Sequence, residues 1–226
     1  MPAKFVCYCD ADCDADCDAD ADCLSHLKIL LSKCKNFFLI IQFSGTFMMV
    51  LLQKSAAISL SVLVRRGEEA GSGSMLTGGL SAGLGVMLGI LVTGNNSGAH
   101  MNPAVTLGMT VWGRTPVTSL PAYMMGQFLG SLSAASLLLC VWWEVISEVG
   151  PEVMSTAPVL GQASVQLGVD QGVATFLMVL VAASLDHQHH PVPGLLMGLT
   201  VATVTISMGQ NAGASMNPAA DTMPRY

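Results

Sequence analysis

Two short segments of the chain repeat each other in register. Residues 97–108 read SGAHMNPAVTLG and residues 212–223 read AGASMNPAADTM; without gaps they share Gly98/Gly213, Ala99/Ala214, Met101/Met216, Asn102/Asn217, Pro103/Pro218 and Ala104/Ala219. One Asn-Pro begins a turn or a helix and says little more. Two copies, each following an apolar run, mark an internal repeat. Asn suits a helix N-cap, and Pro suits the first helical position because it has no N–H to leave unpaired and its φ is already helical. Each motif therefore opens a helix. The apolar stretch after Asn102 lasts only to about residue 112 before Gly113-Arg114-Thr115-Pro116, about half a bilayer at about 1.5 Å per residue. A half-helix is tolerated within a membrane where it lines a cavity. Interrupted segments at matching places in two halves point to an inverted repeat with its pathway at the midplane.

Half-helices entering from opposite faces bring their N-termini together, and positive dipole ends at the centre oppose cations and protons. The amides of Asn102 and Asn217 are then placed to donate hydrogen bonds to the oxygen of a neutral solute, interrupting a proton wire. The expected chemistry is passage through a pore. No cluster of nucleophile, base and orienting group suggests an enzyme, and no cofactor or metal is expected.

Composition says what positions these motifs. Of 226 residues, 52% are hydrophobic and 11% charged, against about 25% charged in an average globular chain, so the chain has a large core or sits in a bilayer. The net charge of -6 argues against nucleic acid, but it is not spread evenly: residues 1–23 hold seven of the fifteen acids and a single base, Lys4. Residues 1–35 read as a low-complexity, disordered Asp/Cys-rich tail holding Cys7, Cys9, Cys13, Cys17, Cys23 and Cys34. Its C-x3-C spacing follows from a four-residue repeat and includes no His, so metal binding is not expected there.

Residues 36–226 form the second unit, an all-α membrane domain. Apolar runs long enough to span cover residues 37–64, 75–94, 120–143, 169–185 and 192–209, with residues 144–168 a longer polar loop. Lys54 interrupts the first run, either snorkelling toward the outer end of the helix or marking where the helix stops. Trp142 and Trp143 suit an interfacial belt, and Lys28, Lys33 and Lys35 before the first span favour a cytoplasmic N-terminus. The methionines and Cys140 read as core filling. Asp186, His187, His189 and His190 read as a solvated loop, because ligands this close in sequence rarely close a tetrahedral site.

SGAHMNPAV and MGQNAGASMNPAAD resemble the two signatures of the aquaporin, or major intrinsic protein, family across about residues 36–226. Asp170-Gln171, GRTP, LPAYMMGQ and Asp221 resemble its aquaglyceroporin branch. The resemblance implies six transmembrane helices plus two half-helices, a homotetramer with one pore per protomer in the lipid bilayer, and the plasma membrane as address. The implied substrates are water, glycerol and similar small neutral solutes such as urea. It also implies constriction positions at Ala82, Thr205, Ala214 and Ala220, and supporting residues at His100, Gln42, Gln171 and Asp221.

Departures from the family pattern carry consequences. The family's second motif continues with Arg, here Ala220; with Ala82, Thr205 and Ala214 the constriction holds no aromatic and no cation, and is expected to be wide, permissive for polyols and leaky to ions. Gln42 and Gln171 stand where the family has buried acids, keeping hydrogen-bonding capacity without charge. His100 reads as a packing partner of the first loop rather than a pH sensor. The chain stops at Tyr226 within the second half-helix, so the sixth transmembrane helix is missing and a partial sequence is expected. The alternative function is a non-conducting structural or assembly subunit of the same family.

Overall fold

The computed structural model describes residues 35–67, 71–93, 97–154, 164–188 and 192–225. The expectations for the Asp/Cys tail and for the side chains of the histidine loop at 186–190 lie outside them.

The regular elements among the described residues are all helical. α1 (Lys35–Arg65) runs for 31 residues, about 46 Å at the helical rise. α2 (Gly71–Thr93) follows, then the nine-residue α3 (Pro103–Val111), and after a single 3-10 turn α4 (Leu120–Val141). The second half holds α5 (Trp143–Val149), α6 (Ser164–Gln188), α7 (Pro193–Ala212) and the short α8 (Pro218–Thr222), which continues into a 3-10 turn at Met223–Arg225. Among the described residues, four segments are long and apolar enough to cross a membrane: Phe37–Arg65, Met75–Thr93, Val117–Val141 and Val165–Leu185. The protein is an integral membrane protein.

Several expectations change. The run at 192–209 forms α7 but is not among those four spans. Thr200, Thr203, Thr205, Ser207 and Gln210 dilute its apolar character. The loop after residue 143 begins with a helix, α5, and a 3-10 turn at Pro151–Met154, which close over α1 and α4 through Ile146, Met154, Ile58 and Leu138. The helix that holds the fourth span, α6, begins at Ser164, five residues before its apolar run. α1 continues past Lys54, so the lysine does not end the helix; its side chain is turned inward and only 9% exposed. Cys140 is exposed rather than core.

The layout follows the repeat. α1 packs on α2 and α4, α2 on α7, and α6 on α7, while α3 wedges between α4 and α6. Without a hydrophobic drive between helices in lipid, small residues decide where backbones approach. At the α2–α7 crossing, a Cβ added to Gly83 would sit 2.3 Å from the Gly198 carbonyl oxygen, and one added to Gly198 would sit 2.7 Å from that of Gly83. These glycines are related by the same 115-residue offset as Asn102 and Asn217. The crossing is therefore the point about which the two halves of the sequence mirror each other.

Gly83→Ala should lower stability by about 1–3 kcal/mol, because the neighbouring atom is backbone and cannot rotate away. The melting midpoint in detergent checks this. Gly172→Ala, whose Cβ meets nothing within 4 Å, should leave the midpoint unchanged or raise it.

Candidate functional site

Each repeated motif begins with a left-handed turn. Gly98 and Gly213 have φ of 67° and 80°, and the alanines that follow, Ala99 and Ala214, have φ of 46° and 47°. For a residue with a Cβ this conformation costs about 1–2 kcal/mol. Both copies adopt it, so surrounding contacts must hold it in place. The turn delivers each Asn to a helix start. Asn102 Oδ1 accepts from the Ala104 N–H at 2.8 Å, and Asn217 Oδ1 accepts from the N–H groups of Ala219 at 3.1 Å and Ala220 at 3.3 Å. Pro103 and Pro218 occupy the first helical positions.

The amide nitrogens then tie the halves together. Asn102 Nδ2 donates to the Met216 carbonyl at 2.9 Å, and Asn217 Nδ2 donates to the Met101 carbonyl at 2.8 Å. Each amide reaches across to the residue before the opposite Asn. An amide has two N–H donors, and this crossing uses one from each. Among the described residues, the second faces thioether sulfur, Met178 Sδ at 3.8 Å from Asn102 and Met49 Sδ at 4.0 Å from Asn217. Sulfur is a weak acceptor, so this donor is the one an oxygen-bearing solute can take.

A buried polar network braces the first loop. Gln42 Oε1 accepts from the Met101 N–H at 2.8 Å and from Gln127 Nε2 at 2.9 Å, while Gln42 Nε2 donates to Ser97 Oγ at 3.0 Å. Gln127 also donates to Thr106 Oγ1, which donates to the Asn102 carbonyl. The Tyr123 hydroxyl donates to the Ser97 carbonyl. His100 is buried, with Nδ1 3.2 Å from Thr106 Oγ1 and its ring against Tyr123. The second loop has fewer braces: Gln171 Nε2 donates to the Ala212 carbonyl and Ser131 Oγ to the Ala219 carbonyl.

These tips project into a cavity of about 630 Å³ that passes both asparagines. Ala82, Thr205, Ala214 and Ala220 all line it, as do His100 and Asp221. Gln42, Gln171 and the Pro and Ala of the two motifs do not; they hold the tips from behind. Six methionines, Met49, Met101, Met109, Met178, Met197 and Met216, form much of the apolar wall, so these serve the cavity as well as the core.

Some site residues escaped the sequence reading. Gln127 and Ser131 sit on α4 with Tyr123, Gly126, Gly130 and Ala134, all buried. Their spacing of three and four residues is the signal that could have found them, a polar and small stripe on one face of an otherwise apolar helix. Gln53 was also missed: its Nε2 donates to the Ala82 carbonyl at 2.9 Å, and it lines the cavity beside Lys54.

Residues 32–226 match the sequence model of a family described as major intrinsic protein. The chain is 31% identical over 196 residues to "Glycerol uptake facilitator protein-like 5" of Lactiplantibacillus plantarum, covering 81% of this chain and 78% of the relative. It is 30% identical over 200 residues to "Aquaporin-2" of Rhizopus delemar, covering 81% of this chain but only 62% of that protein's length. Among solved structures, the aquaglyceroporin from Plasmodium falciparum superposes with a TM-score of 0.74 at 25% identity, over 83% of this chain and 78% of that one.

The network yields a stability test. Gln42→Leu removes the partners of the Met101 N–H, Gln127 and Ser97 together, and should cost about 1–3 kcal/mol or more, since buried donors are left unpaired. A thermal melt in detergent reads it. Gln42→Glu keeps an acceptor for Met101 and Gln127 and should lose less.

Proposed function

The chain belongs to the major intrinsic protein family, and from that premise we propose that it forms a passive membrane channel for water and small neutral solutes such as glycerol. The observation that carries this reading is the pair of asparagine tips within one cavity, each keeping one N–H beyond the bond that joins the halves. A solute hydroxyl accepts from these donors in sequence. Its alkyl side slides along methionine and aliphatic wall, an arrangement suited to a molecule with one polar and one apolar edge.

Substrate size follows from the constriction positions. Ala82, Ala214 and Ala220 project a single methyl each, and Thr205 adds one hydroxyl. An opening framed by such side chains suits glycerol and longer polyols better than water alone. The names of the relatives, a glycerol uptake facilitator and an aquaglyceroporin structure, agree with this preference.

The proposal extends to the setting. Exposed apolar side chains along the spans, among them Leu129, Leu132, Val169 and Phe176, suit contact with lipid or with further copies in a homotetramer. The basic residues before α1 support a cytoplasmic N-terminus under the positive-inside rule, and the plasma membrane is the proposed residence.

Stopped-flow light scattering of proteoliposomes holding the chain tests the function. Glycerol should equilibrate faster than in empty vesicles; no added flux, or water flux with glycerol excluded, contradicts the reading. Ala82→Trp places a large ring at the constriction and should cut flux of a five-carbon polyol by about tenfold or more while sparing water. Equal polyol flux in the variant and the parent would remove Ala82 from the constriction.

A further inference from the structure

Gln53 sits on α1 and reaches across to α2. Its Nε2 donates to the Ala82 carbonyl at 2.9 Å, and its stem crosses at Gly85, where an added Cβ would meet Gln53 Cγ at 3.0 Å. A carbonyl only accepts, so the atom facing it is the amide nitrogen, which fixes the sense of the carboxamide. Oε1, on the other arm of a planar group, turns away from that carbonyl. Among the described residues Oε1 has no protein partner, and Gln53 lines the same cavity as both asparagines.

Met49 gives the level of this group. Its sulfur lies 4.0 Å from Asn217 Nδ2, and Gln53 is the fourth residue beyond it on α1, about one turn or about 6 Å along the axis. A small polyol spans that step with a hydroxyl at each end. The other wall positions of α1 and α2 along this stretch are mostly apolar, among them Ala56, Ala57, Ala82 and Val86, while Lys54 and Thr77 are engaged in contacts of their own.

The asparagines hold out N–H groups to a solute, because each Oδ1 is committed to its own helix start. A hydroxyl is a donor as well as an acceptor. Stripped of water beside an apolar wall, an O–H without an acceptor carries a desolvation penalty. Water escapes much of that penalty, since waters in file accept from one another.

We propose that Gln53 is a specificity-determining residue of this pathway: its Oε1 accepts hydrogen bonds from the hydroxyl groups of a polyol at the level of Ala82, complementing the donors of the two asparagines. The inference rests on the channel reading above and names a group that favours polyols within it. The small side chains leave the room, and Gln53 supplies the hydrogen bond.

The test compares the full chain with Q53M and Q53A in proteoliposomes, with water and glycerol permeabilities read on the same preparation by stopped-flow scattering. Ala82 lies within α2, and its carbonyl accepts from its own helix, so neither substitution leaves it unpaired. Met keeps the length of Gln without the acceptor; Ala removes the acceptor and widens the path. In both, glycerol permeability should fall about fivefold, the loss of one hydrogen bond, with water permeability kept or raised. Q53A serves if Q53M does not insert. A steric role predicts faster glycerol in Q53A, and a purely structural role predicts that water and glycerol fall together. Either result overturns the inference, as does glycerol permeability equal to the parent's in an inserted variant. A parent that passes no glycerol overturns the channel reading itself, a failure distinct from the others.

Discussion

A half-helix that starts inside a bilayer leaves its first N–H groups with no water to bind. Here two such starts face each other, and the asparagine at each satisfies its own helix while donating to the backbone of the other. Everything around them serves that meeting. The left-handed turns at Ala99 and Ala214 are unfavourable alone, yet they aim the two carboxamides across the gap. The Gly83–Gly198 crossing brings α2 and α7 close enough for the tips to touch. The cost of one feature is met by the fit of its neighbours, as expected where strain sits at a functional centre.

The two halves are alike in backbone and unlike in support. The first tip rests on Gln42, Gln127, Thr106 and Tyr123, all buried. The second rests on Gln171 and Ser131. The wall divides in the same way: methionine and aliphatic groups supply a smooth apolar side, and polar groups are few and placed. Beside the small side chain of Ala82, α1 supplies polarity to the cavity through Gln53.

Much of this was legible in the residues. The repeated Met-Asn-Pro-Ala gave the helix starts, because capping is local chemistry that Asn and Pro perform wherever the chain places them. Four of the five apolar runs marked the spans for the same reason of local composition. What stayed hidden depends on neighbours distant in sequence. Lys54 read as a helix end or a snorkelling group, since nothing nearby tells which way its side chain turns. Gln127 read as part of a family-like segment, and its role appears only when Gln42, 85 residues earlier, comes within 2.9 Å. Cys140 read as core because apolar neighbours in a span do not distinguish a bundle-facing from a lipid-facing side. The helix after residue 143 was missed because its polar residues resemble a loop, and packing against α1 decides its form.

The central claim is that two reciprocal amide–carbonyl bonds act as one joint. A double-mutant cycle with Asn102→Ala and Asn217→Ala, read by thermal unfolding in detergent, tests it most directly. If the bonds share a joint, breaking one frees the other tip, and the second substitution costs less on top of the first than alone, with a coupling of about 0.5–3 kcal/mol. Losses that add to within about 0.3 kcal/mol would mean that the asparagines act independently, and that the halves are held together by something else.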